Sequence, residues 1–164
     1  MSNAIRMSIG ISAPPERAFD ALHRPDDLGA WFCEHADVSP AEKRYDFWGR
    51  HTPGAPTRDG GRHALDVYDA PRALAFLWPL RGGASRAAYT VTPSGEGSLL
   101  ELHHALPRGR SVREGAIADF WAGSLERLKA WLEKGTRGFL PDYGSPASIA
   151  PVLSAATTMP VLPS

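Results

Sequence analysis

VREGAIADFWAGSLERLKAWLEKG, residues 112–135, decides how this chain folds. Ile117, Trp121, Leu125, Leu128 and Trp131/Leu132 recur every three to four residues, the spacing of one helix face. Phe120 and Ser124 widen that stripe, while Glu114, Asp119, Glu126, Arg127, Lys129, Glu133 and Lys134 occupy much of the remainder. Gly135 predicts the stop, because glycine takes the left-handed conformation beyond a helix end at little cost. A helix with so broad an apolar face must lie against something large and hydrophobic, and the strand-like segments before it are the candidate.

Those segments begin at the N-terminus. Ile5, Met7, Ile9 and Ile11 alternate with Arg6, Ser8, Gly10 and Ser12, the period-two pattern of a strand with one buried face. Pro14-Pro15-Glu16 and then Pro25-Asp26-Asp27 each predict the start of a short helix, since proline lacks an N–H that would be unpaired there and the acids complement the helix dipole. Ala18, Phe19 and Leu22 give the first helix a buried side; Leu28, Trp31 and Phe32 do so for the second. From Ala36 to Leu106, strand-like runs follow at 45–50, 63–68, 74–80, 87–92 and 99–106. Gly/Pro/Asp/Ser clusters such as Asp59-Gly60-Gly61, Asp69-Ala70-Pro71, Gly82-Gly83 and Pro93-Ser94-Gly95 separate them, too closely for parallel crossovers. The predicted class is α+β, with one domain over residues 4–135 and a Pro/Ala/Ser-rich tail or linker over 136–164.

Bulk composition narrows the function. Lys plus Arg and Asp plus Glu both count 18, so no long-range field for nucleic acid is expected. Cys33 is the single cysteine, and no apolar run reaches the roughly 20 residues of a membrane span. A cytoplasmic protein is expected.

The segment Ile9-Gly10-Ile11-Ser12-Ala13-Pro14-Pro15-Glu16-Arg17-Ala18-Phe19-Asp20-Ala21-Leu22 resembles the opening signature of the START-like, Bet v 1-type (SRPBCC) superfamily. Pro25-Asp26-Asp27-Leu28 with Trp31-Phe32, the runs 45–50 and 99–104, and the closing helix resemble the branch named for activators of the Hsp90 ATPase. The resemblance implies a helix-grip fold, in which a curved antiparallel sheet wraps the long C-terminal helix around an elongated cavity. It also implies binding of lipids, polyketides or other apolar molecules, with catalysis in a minority of members. One departure concerns the hairpin before residue 45: Glu42-Lys43-Arg44 stands where the family often shows a glycine pair.

Strand alternation suggests which polar groups face that cavity. Tyr45, Phe47, Gly49 and His51 share one face; His63, Leu65 and Val67 another; Tyr89 lies with Ala87 and Val91; His104 lies with Leu100 and Leu102. Phe47, His51, His63, Tyr89, His104, Phe120 and Trp121 are therefore the expected ligand-binding residues. A buried imidazole or phenol needs a hydrogen-bond partner, which either a ligand or a neighbouring protein group supplies. Adjacent His103 and His104 point to opposite faces and cannot chelate one ion, so neither metal nor cofactor is expected. Binding of an unidentified apolar molecule leads. Co-chaperone-like interaction is the alternative, and a cyclase, dehydratase or hydrolase using a pocket histidine (His104 or His63) is the second.

Overall fold

The structure, a computed structural model, describes residues 3–80, 83–107 and 114–139. Strand β1 (Asn3–Ile11) leads into α1 (Pro15–Asp20) and α2 (Pro25–Trp31). Six strands follow: β2 (His35–Ser39), β3 (Arg44–Trp48), β4 (Ala64–Asp69), β5 (Ala73–Leu77), β6 (Arg86–Ser94) and β7 (Gly97–Leu106). The long helix α3 (Glu114–Lys134) closes the domain; the expected first helical residues, 112–113, and the tail from residue 140 lie outside the described residues. The seven strands form one antiparallel sheet in the order β1-β7-β6-β5-β4-β3-β2, so the N-terminal strand pairs with the last one. This is the helix-grip arrangement.

Each element follows from local chemistry. Ile5 and Ile11 of β1 are buried while Arg6 and Ser8 are exposed. Both short helices open at their prolines, after extended Pro14 and Arg24, with no side-chain cap. Trp31 Nε1–H donates to the Ala21 carbonyl (2.9 Å), tying α2 to the end of α1, and the Tyr45 hydroxyl donates to the Leu22 carbonyl (2.5 Å), tying that end to β3. Gly135 takes φ 70° and its N–H donates to the Trp131 carbonyl (3.0 Å), the left-handed stop that ends α3.

Two expectations are corrected. His51 does not extend the buried face of β3, because Gly49 at φ 123° ends the strand and carries the chain into a loop. Val67 is only partly buried, because a register shift between Leu65 and Val67 breaks the alternation of β4. At the β2–β3 hairpin, Lys43 adopts φ 54°, taking the left-handed position that a glycine would fill without strain.

Candidate functional site

Between the sheet and α3 lies an interior in which a contiguous cluster of rings is set among aliphatic side chains such as Leu74, Leu100, Leu102 and Leu125. Phe32, just past α2, stacks on Trp121 of α3 (centroids 5.7 Å) and meets Phe47 edge-on at 4.8 Å. Phe47 in turn stacks on His63 (4.0 Å), and Tyr89 and Trp78 both meet Trp121 edge-on, at 5.9 and 6.0 Å. Rings pack in such offset and perpendicular arrangements because their faces are electron-rich and their edges electron-poor. Of the seven expected site residues, Phe47, His63, Tyr89, His104 and Trp121 are buried here, and partly buried Phe120 joins them through Phe32, Trp78 and Trp121. His51 stands apart, stacked on Phe139.

Three residues hold His104 in place. The Trp121 indole N–H donates to His104 Nδ1 at 2.9 Å, so the neutral ring carries its proton on Nε2. Nε2 lies 2.8 Å from Ser85 Oγ and donates to it, and the Ser85 hydroxyl in turn donates a hydrogen bond to the Trp78 carbonyl. Burial, with a smaller contribution from His103, lowers the His104 pKa to about 4. A serine beside a histidine suggests nucleophilic catalysis, but here the third group is a donor, not a carboxylate. The tautomer it selects leaves no lone pair facing Ser85 with which to take the serine proton. The relay joins the connection between β5 and β6, which holds Trp78 and Ser85, to β7 and α3. Sequence alone pointed to His104 and Trp121 but not to Ser85 or Trp78.

Five buried side-chain polar atoms lack a hydrogen-bond partner among the described residues: Arg44 Nε, Asp46 Oδ2 and Thr52 Oγ1 lie outside the ring cluster, and two lie within it. The Tyr89 hydroxyl and His63 Nδ1 are buried with no hydrogen-bond partner among the described residues. Burial pushes the Tyr89 phenol well up and brings the His63 imidazole down to about 4, against the opposing pull of Asp46 and of the nearby Tyr45 and Gly61 backbone, which make no well-formed hydrogen bond to Nδ1; both groups are neutral near pH 7. Cys33 is fully buried and its thiol is pushed up by that burial, which leaves it unreactive. Among the described residues no group of three His, Cys, Asp or Glu is placed to hold a metal, and no described helix is long and apolar enough to cross a membrane.

An outer brace, not foreseen in the sequence, fixes α3 against the short helices. Asp27 accepts two hydrogen bonds from the Arg17 guanidinium (2.8 and 2.9 Å) and one from Trp131 Nε1–H (2.8 Å). Burial alone would raise the Asp27 pKa; these donors outweigh it and hold the carboxyl below its ordinary value.

Known proteins carry the same architecture. DynU16, a protein of the dynemicin biosynthetic locus, superposes with a TM-score of 0.68 at 19% identity; the match covers 84% of this chain and 49% of that one, so the chain spans about half its length. The AHSA1-like protein RHE_CH02687 from Rhizobium etli gives 0.64 at 22% identity, covering 88% and 91% of the two chains. The Aha1 dimer from Colwellia psychrerythraea gives 0.63 at 18%, covering 81% and 98%. These likenesses establish the fold. Among curated proteins no sequence match reaches significance. Residues 3–133 match the family described as polyketide cyclase / dehydrase and lipid transport. On that match over most of its length, the chain belongs to this family of the SRPBCC superfamily.

Proposed function

We propose that the chain binds a small, largely apolar molecule within the aromatic interior, where the Tyr89 hydroxyl and His63 Nδ1 meet its polar groups. The observation that carries this reading is the pair of buried, unpartnered polar atoms inside an otherwise satisfied ring cluster. An unpaired buried polar group costs on the order of 1–3 kcal/mol, which a ligand hydroxyl or carbonyl recovers. The family's description, which includes lipid transport, is consistent with such a cargo. Binding ranks above turnover because one of the two candidate acid/bases, His104, is closed off by its own relay, and the other, His63, has no nucleophile hydrogen-bonded to its Nδ1 among the described residues. It also ranks above a chaperone-like role. Only Tyr68 and Leu77 are exposed large apolar side chains among the described residues, and Tyr68 is occupied edge-on by Phe19 and His23.

Native mass spectrometry of gently purified protein, followed by analysis of what denaturation releases, tests this reading. A stoichiometric apolar adduct that Tyr89→Phe weakens is the expected result. A clean apo mass together with no saturable uptake from a broad lipid and aromatic library refutes it.

A further inference from the structure

We propose that residues 136–139 form a strap that gates the aromatic interior, an inference that rests on the binding reading above. The end of α2 has carbonyls that no further turn can satisfy. Arg137 Nη2–H donates to the Gly29 carbonyl (3.2 Å), and the N–H groups of Gly138 and Phe139 donate to the Ala30 carbonyl (2.8 and 3.3 Å). Arg127 Nε–H of α3 takes the Trp31 carbonyl (3.0 Å). The segment after α3 thus helps to cap a helix 108 positions earlier in the chain.

Its last described ring reaches a third element. Phe139 lies parallel to His51 at 3.8 Å and 7°, and the Arg127 guanidinium carbon sits 4.4 Å from the Phe139 centroid. A ring in parallel contact fills one face, so the guanidinium takes the other, and Phe139 is sandwiched between the β3–β4 loop and α3. The strap therefore grips two segments, and each continues directly into the interior. Trp31 precedes Phe32, whose ring meets Phe47, Phe120 and Trp121, and His51 lies in the loop that joins Phe47 to His63. Releasing the strap frees both walls without removing a ring from either.

Gly138 offers a clean release. A Cβ there would fall 2.3 Å from Arg127 Cδ and 2.7 Å from its Cγ, so Gly138→Ala wedges the strap away from α3. Phe139→Ala removes the sandwiched ring instead. Both variants leave the interior residues intact, and circular dichroism should match that of the wild type.

The experiment combines deuterium exchange with stopped-flow uptake of 2-naphthol, a fused aromatic pair with one hydroxyl. In both variants, exchange in peptides spanning 28–34 and 49–61 should rise roughly tenfold, the scale of losing one aromatic stack and one cation–π contact. Association and dissociation rates of the probe should rise together by a similar factor, leaving the Kd nearly unchanged. Unchanged exchange overturns the strap. Raised exchange with unchanged probe rates overturns the gate while the binding reading stands. A wild type that takes up no 2-naphthol overturns the gate for this class of probe, and the binding reading falls with it only if the broad lipid and aromatic library also shows no saturable uptake.

Discussion

Replacing His104 with glutamine should remove a defined part of the acid sensitivity of this protein. The imidazole titrates at about 4 in the fold against an ordinary 6.5, because burial penalises its charged form. Its folded pKa is depressed, so the unfolded chain binds the extra proton first. The stability at stake is fully present above the unfolded pKa and is lost as pH falls from about 6.5 toward 4. Between pH 7.5 and 4.5 the linkage amounts to about 2–3 kcal/mol for this one group. Glutamine offers an acceptor to the Trp121 N–H and a donor to Ser85 but does not titrate. Phenylalanine keeps the ring but orphans the indole N–H, a penalty of about 1–3 kcal/mol near neutral pH.

Urea unfolding, followed by tryptophan fluorescence at a series of pH values, separates these effects. Wild type should be the most stable near neutrality, and the His104→Phe variant should fall below the glutamine variant. Both variants should lose about 2–3 kcal/mol less than wild type on acidification to about pH 4.5. Carboxylates such as Asp27 and Glu34, whose depressed pKa values also make acid destabilising, cancel in the difference. Equal pH slopes for wild type and His104→Gln would refute a neutral, donor-locked imidazole at this position.

Further outcomes follow from the same structure. Tyr89→Phe removes an unpaired buried hydroxyl and should stabilise the ligand-free protein by about 1 kcal/mol in chemical denaturation, while weakening ligands that carry a polar group. Asp27→Ala strands the Arg17 and Trp131 donors and should cost about 2–3 kcal/mol; Arg17→Ala should cost less, because its side chain is 41% exposed and screened. Lys43→Gly relieves the left-handed strain at the β2–β3 turn and should raise stability by about 0.5–1 kcal/mol, read as an upward shift in Tm.

The architecture was legible because its signals are local. Alternation in β1 and β7, proline at both short helices and the 3.6-residue stripe of α3 need no tertiary information. Strand β2 was not singled out: Ala36 and Val38 are only partly buried, so its alternation is shallow. The β4 bulge and the escape of His51 depend on backbone conformations at Leu65/Val67 and Gly49 that period-two reasoning cannot see. The relay was invisible for another reason. Ser85 lies in a Gly/Ala/Ser stretch that reads as a turn, and only the hairpin pairing of Trp78 N–H with the Ser85 carbonyl (2.9 Å) brings it under His104.

How completely the interior satisfies its polar groups bears directly on function. Trp31, Tyr45, Ser85, His104 and Trp121 each end in a well-placed partner, and three of those partners are backbone carbonyls at helix or hairpin ends. A core selected for stability alone would close its remaining polar atoms too, or replace Tyr89 with phenylalanine, whose ring fills the same space without an orphaned hydroxyl. Tyr89 and His63 instead keep polar atoms that cost stability among rings that supply none of the missing hydrogen bonds. Such a cost is offset when a bound molecule contributes the absent partner. The contrast between the closed relay at His104 and the open atoms at Tyr89 and His63 therefore separates the residues that hold α3 in register from those that favour a ligand.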